Sequence, residues 1–125
     1  MKDKKYIGKD AHHYFAGRHL IIELWDAKNL NNVEHVELVL KQAIKDADAT
    51  LLHIHTHHFG EDSGLTSVGI LSESHISIHT WPEINYAALD VFLCGTKNPY
   101  DVIPAIKNGF GGKMQIIEHK RGILE

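Results

Sequence analysis

The chain has 125 residues, 43% apolar and 23% charged, with a formal net charge of −3; that suffices for one hydrophobic core but not two, and offers no basic patch for nucleic acid. No apolar run approaches the ~20 residues of a membrane span, and the charged start Met1-Lys2-Asp3-Lys4-Lys5 lacks the apolar stretch of a signal peptide. A single cysteine, Cys94, excludes an internal disulfide framework and suits a reducing cytoplasm.

In chain order, residues 1–16 are polar and read as loosely held. Gly17 to Trp25 reads as a strand with Leu20, Ile22 and Leu24 on one face. Asn32 is placed to cap a helix running to about Ala47, whose stripe is Val33, Val36, Leu40, Ala43, Ile44 and Ala47. Thr50 to Phe59 reads as a second strand, Gly60 to Gly64 as a loop, and Thr66 to Ser72, Ser74 to Trp81 and Tyr86 to Cys94 as further strands. A late helix is expected to begin near Asn98-Pro99 or, since Pro104 is awkward inside it, later, with Asp101 as its cap and Pro104 in the first turn; Gly109, Gly111 and Gly112 end it. Met114 to Glu118 is the last expected strand. The spacers between the three consecutive strands are too short for helical crossovers, which predicts antiparallel neighbours. The expected fold is an α+β two-layer sandwich, a mainly antiparallel sheet covered on one face by two helices, with residues 1–125 forming one domain.

The chemistry concentrates in Leu71-Ser72-Glu73-Ser74-His75-Ile76-Ser77-Ile78-His79-Thr80-Trp81-Pro82-Glu83. Ile76 and Ile78 alternate with polar residues, as in a half-buried strand, so a rigid element carries a row of hydroxyl, imidazole and carboxylate groups. If residues 82–86 form the loop to the next strand, paired residues sum to 168 and Ser74 lies opposite Cys94, a hydroxyl beside a thiol. His79 is an odd offset from Ser74, which puts the two on opposite faces of a regular strand. A bulge, a turn before the strand, or a meeting by another route would each reconcile them.

This segment, with Tyr86-Ala87-Ala88-Leu89-Asp90-Val91-Phe92-Leu93-Cys94-Gly95 and the early Gly17-Arg18-His19-Leu20, resembles the prokaryotic S-adenosylmethionine decarboxylases, which are pyruvoyl enzymes. The resemblance implies the same two-layer fold and a precursor that cuts itself between Glu73 and Ser74, giving chains 1–73 and 74–125. Decarboxylating an amino acid leaves a carbanion that no ordinary side chain can delocalise; the family supplies a covalent pyruvoyl group, which here would derive from Ser74. The same resemblance implies His79 as the base that removes the Ser74 α-proton, Cys94 as the acid that returns a proton to the substrate carbon, and Thr66 as a hydroxyl that assists processing. It implies Glu83 for the ribose hydroxyls and Phe59 for adenine. Trp81 is available to face the sulfonium. S-adenosylmethionine as substrate, supply of the aminopropyl donor for spermidine synthesis, and a homodimer of cleaved protomers are implied likewise. No metal is implied.

Other readings stand beside these. Ser74 fits a strand-start serine bonded to backbone, Cys94 a small buried hydrophobe, Glu83 a solvated turn residue, and Phe59 and Trp81 core aromatics. His75 fits a structural partner as well as a catalytic one. The loop between Phe59 and Thr66 carries Glu61 and Asp62, which suit a basic substrate such as arginine or ornithine. His53, His55 and His57 alternate on one strand face and could ligate zinc, as in a metal-binding protein or hydrolase.

Overall fold

The computed structural model describes residues 7–10 and 12–123. Its elements are β1 (Gly8–Lys9), β2 (Tyr14–Phe15), β3 (Gly17–Trp25), α1 (Val33–Asp46), β4 (Leu51–His58), β5 (Leu65–Leu71), β6 (Ser74–Trp81), β7 (Tyr86–Cys94), α2 (Ile103–Phe110) and β8 (Lys113–Arg121). β1 and β2 pair as a small hairpin, and the other strands form one six-stranded sheet in the order β4-β5-β6-β7-β3-β8. Every neighbouring pair is antiparallel, and the two helices cover one face, so the architecture is α+β.

The strand alternation decides which face the helices cover. Leu20, Ile22 and Leu24 of β3 are opposite Val91, Leu89 and Ala87 of β7, which are opposite Ile76, Ile78 and Thr80 of β6. All nine are buried, and the apolar ones join one core with Val36, Leu40, Ala43 and Ile44 of α1 and Ile106 and Phe110 of α2. The Asn32 side chain accepts the His35 N–H at 3.0 Å and caps α1 as its sequence predicts. Among the described residues no helix lies over the opposite face. It carries His19, Ile21, Glu23 and Trp25 beside Phe92, Asp90, Ala88 and Tyr86, then His75, Ser77, His79 and Trp81. Beyond β6 come Thr66, Val68 and Ile70, and His53, His55 and His57.

Four expectations change. Asp101 does not cap α2: Asn98 accepts the Tyr100 N–H at 3.0 Å and starts a 3₁₀ turn at Pro99–Val102, because a proline's fixed φ favours the first helical position. Pro104 then sits in the first turn of α2, as expected. Gly109 lies inside α2 rather than ending it, because a Cβ there would strike Val39 of α1; Gly111, at φ +66°, ends the helix. The last strand is longer than expected, Lys113–Arg121, because all of it pairs with β3. Within the stretch read as loosely held, residues 8–15 contain a hairpin with Phe15 buried, while residues 1–6 and 11 lie outside the described residues.

Candidate active site

The segment between β5 and β6 is a two-residue turn, Ser72-Glu73, closing the pair Leu71–Ser74. β4 anchors it from the side. The Ser72 N–H reaches the Thr50 carbonyl at 3.0 Å, and the Glu73 carboxylate accepts the Thr50 N–H at 2.9 Å. Ser74 leaves this turn with φ +127°, a region that side-chain-bearing residues rarely occupy and that costs ~1–3 kcal/mol. The chain therefore holds strain at the residue whose peptide bond the sequence singles out. The Glu73 carbonyl also has a fixed partner, the Cys94 backbone N–H at 2.8 Å.

The β6–β7 register differs from the one assumed. The loop is a 3₁₀ turn at Pro82–Ile84 followed by Asn85 at φ +54°, and Trp81 pairs with Tyr86. Ser74 is thus opposite Leu93, while Cys94 pairs with Gly17 of β3. The loop has one residue fewer than assumed, which shifts every pair. Ser74 and Cys94 still meet, because the unusual Ser74 backbone carries its side chain to within hydrogen-bonding influence of the thiol. Burial pushes the Cys94 thiol above its ordinary value; the Ser74 side chain and the cysteine's own backbone contact pull the other way, and the Glu73 charge adds to the rise. The net result is a thiol that stays protonated at neutral pH.

A second group lies farther along β6. His79 is opposite Thr66 of β5, and its Nδ1 is 2.9 Å from the Thr66 hydroxyl. With Thr66 accepting from Nδ1–H, Nε2 carries a free lone pair. Gly64 sets this arrangement: at φ +82° it passes so close under the Thr80 carbonyl that a Cβ would collide, and the next N–H, of Leu65, bonds the Thr80 hydroxyl at 2.9 Å. Five residues separate His79 from Ser74, roughly 16 Å at the ~3.3 Å strand rise. The turn supplies the Ser74–Cys94 meeting, but β6 runs without a register shift from Ser74 to His79, and among the described residues nothing brings the two together.

The residues expected to hold a ligand are spread around the His79 end. Trp81 is 42% exposed on the open face with its ring 5.2 Å from Tyr86. Phe59, also exposed, follows β4 and lies edge-on to His57 at 4.6 Å. Glu83 is exposed in the 3₁₀ turn and lines a cavity of about 390 Å³ with Asn31, Glu61, Asp62 and Pro82. Neither aromatic is in the core, and the loop acids do share a space with Glu83. His53, His55 and His57 are exposed along β4. Among the described residues no group of three or more His, Cys, Asp or Glu side chains is placed to hold one ion, so the row does not form the zinc set considered from its spacing.

Two features escape the sequence reading. One is the Cys94 N–H on the Glu73 carbonyl, invisible because backbone contacts leave no residue signature. The other is a cluster beside Ser74: His19 Nε2 is 2.8 Å from the Asp90 carboxylate, and the His19, His75 and Phe92 rings lie 5.6 to 6.2 Å apart. Burial, then the neighbouring His19 and Arg121, lower the His75 pKa against the opposing pull of Asp90, so His75 is neutral at neutral pH. The position of His19, two residues into β3 and facing the same way as Phe92 and His75, is the signal that could have found it.

The sequence pattern of S-adenosylmethionine decarboxylase matches residues 18–122. The chain belongs to the S-adenosylmethionine decarboxylase family. An S-adenosylmethionine decarboxylase proenzyme of Methanococcus aeolicus is 52% identical over 112 residues, covering 86% of this chain and 95% of the relative. One from Thermomicrobium roseum is 40% identical over 110 residues, covering 86% and 95%. The crystal structure of the adenosylmethionine decarboxylase from Aquifex aeolicus superposes with a TM-score of 0.79 at 34% identity, covering 87% of this chain and 92% of that one. Every residue named for the site, from Phe59 to Cys94, falls inside the family match, while β1 and β2 fall before it. No helix among the described residues is long and apolar enough to cross a membrane.

Proposed function

We propose that the chain is the self-processing precursor of a pyruvoyl-dependent decarboxylase acting on S-adenosylmethionine. The observation that carries this reading is the convergence on one peptide bond: Ser74 strained at φ +127°, its neighbouring carbonyl bonded by the Cys94 N–H at 2.8 Å, and a protonated thiol beside its hydroxyl. These groups fit the formation of a pyruvoyl group at this residue. The Ser74 hydroxyl attacks the Glu73 carbonyl carbon, and the charge that develops on oxygen falls where the Cys94 N–H already points. The amide becomes an ester, with the hydroxyl proton ending on the Ser74 nitrogen. Removal of the Ser74 α-proton splits the ester, leaving chain 1–73 with a terminal carboxylate and chain 74–125 with a dehydroalanine, which tautomerises to an imine, takes up water and loses its nitrogen as ammonia to give the pyruvoyl ketone. That ketone supplies the electron sink for the carbanion left by carbon dioxide. Cys94 holds the proton that quenches the carbanion, and His79, oriented by Thr66, is the base for α-proton removal. Phe59, Trp81 and Glu83 bind the nucleoside and sulfonium. The product is an aminopropyl donor of the kind spermidine synthesis consumes, and a lone reduced cysteine suits a cytoplasmic enzyme.

The separation of His79 from Ser74 supports a further element of this reading, a homodimer. The open face exposes Ile21, Ile70, Trp81 and Ile117 at 39 to 59%, an apolar set that a second copy would cover. In a two-fold pairing the same patch meets itself, so the His79 end of one sheet approaches the Ser74 end of the other. Each active site then draws Ser74 and Cys94 from one protomer and His79 and Thr66 from its partner.

Intact mass under denaturing conditions tests the core of the proposal. Wild type should give two fragments meeting at Glu73–Ser74, the smaller without a free amine, and Ser74→Ala should remain one chain. A wild type that stays full-length and inactive would leave a protein that binds its ligand without cutting itself. A second substrate reading rests on Glu61 and Asp62 sharing a cavity with Glu83; carbon dioxide release from arginine or ornithine alone would favour it.

A further inference from the structure

The hairpin of β1 and β2 precedes the family match, which begins at Arg18, yet it is firmly attached. Asp10 closes its turn by accepting the His12 and His13 N–H groups at 2.8 and 2.7 Å, and Lys120 of β8 pairs with the same carboxylate at 2.8 Å. Phe15 is 4% exposed. Gly8 packs so tightly on the strand opposite that a Cβ would come within 2.6 Å of the Gly95 carbonyl and would strike Phe15. Ala16, the next residue after the hairpin, donates to the Arg121 carbonyl at 2.8 Å and accepts the Gly95 N–H at 3.1 Å. The hairpin therefore packs on the Gly95 carbonyl through Gly8, and leads directly into Ala16, which holds the Gly95 N–H. Gly95 follows Cys94, whose N–H bonds the Glu73 carbonyl at 2.8 Å. One residue, Cys94, and the hydrogen bond it donates separate Gly95 from the peptide unit expected to break.

We propose that this hairpin is a positioning element for self-cleavage: by fixing Gly95 it keeps the Cys94 N–H aimed at the Glu73 carbonyl oxygen. The inference rests on the self-processing reading of Ser74. The step it affects is the first one. The bond from Ser74 Oγ to the Glu73 carbonyl carbon forms, the bond from that carbon to the Ser74 nitrogen breaks, and the hydroxyl proton moves to the nitrogen. Between those events the oxygen carries negative charge, and a donor held in line stabilises it without reorganising. Neither Gly8 nor Asp10 touches the reacting atoms, so both act through Gly95 and Cys94.

Gly8→Val, which forces a side chain against Gly95, and Asp10→Ala, which opens the turn and frees Lys120, test this in the full-length chain. Each is synthesised in a cell-free pulse and the loss of precursor is followed by intact mass. Against a cleaving wild type, each should lengthen the precursor half-life roughly tenfold, the factor that goes with one hydrogen bond. Hydroxylamine, which cuts esters, should release little additional fragment from either, because the fault precedes the ester; it should release fragment from His79→Ala, whose fault follows it. The melting midpoint, read in a Ser74→Ala background where no cleavage intervenes, should stay near that of Ser74→Ala alone for Asp10→Ala, whereas Gly8→Val, which presses on buried Phe15, should lower it. Wild-type half-lives in both variants overturn the proposal, as do ester accumulation in both or slowing in both that tracks a lowered midpoint. A wild type that never cleaves overturns the self-processing reading instead.

Discussion

In the proposed reaction Cys94 holds a proton and gives it up once per turnover, and its surroundings suit the first half of that task. Because burial raises its pKa, the donating form is the thiol, present below the folded-state pKa and lost as pH rises through it. The alkaline limb of kcat should therefore lie above the ordinary thiol range, and alkylation of Cys94 should stay slow until the same pH. Cys94→Ala keeps its backbone N–H, so it should still process. It should turn over poorly, or protonate the wrong carbon and convert the pyruvoyl to alanine, which mass spectrometry of chain 74–125 reads directly. Glu83→Gln should raise KM for S-adenosylmethionine roughly tenfold while sparing self-cleavage, since a bond to a charged acceptor is worth ~1.5–3 kcal/mol. At this scale the sequence named the residues on which the proposal rests but not how they meet. The Ser74–Cys94 pairing was reached through a register one residue off, and holds because of a backbone angle at Ser74 that no residue type announces. The distance of His79 was legible as an odd offset along a strand, an observation one chain by itself does not resolve.

Elements were far more legible, because alternation and helical stripes follow directly from burial. β3, β6, β7 and α1 fall where their apolar periodicity puts them. The N-terminal hairpin was missed because its strands have two residues each and its stability comes from remote partners, Lys120 and Gly95, rather than from a local pattern. Asp101 was mistaken for a cap because a 3₁₀ turn, which has no distinctive period, intervenes. Between elements the most exacting position is Gly64, which lets the start of β5 tuck beneath the Thr80 carbonyl. Gly64→Ala adds a Cβ at a positive φ, costing ~1–2 kcal/mol for the angle alone, and the collision with backbone adds to it. It should lower the melting midpoint by several degrees. It should also displace Thr66 from His79, so that ester accumulates and hydroxylamine cuts more precursor than in wild type.

For the whole molecule, the proposed sharing of each site between two copies has a direct test. Ser74→Ala and His79→Ala should each be inactive alone, yet co-expressed chains should regain cleavage and activity, since a mixed dimer contains one site with an intact serine and an intact histidine. Failure to complement, with mixed dimers shown to form, would return His79 to its own chain. The order of strands across the sheet has its own consequence for a chain cut after Glu73. The first fragment would contribute β3, α1, β4 and β5, and the second β6, β7, α2 and β8. Across the sheet these alternate in blocks, so three ladders, β5 with β6, β7 with β3 and β3 with β8, would join different polypeptides. The matured protein is then interwoven, and neither piece can leave without dismantling the sheet. Unfolding would then release two polypeptides per protomer instead of one, so recovery after denaturation would require the two fragments to find each other as well as the second copy. The tether that makes assembly easy would exist only before the cut, so the precursor should refold after denaturation far more readily than the cleaved protein.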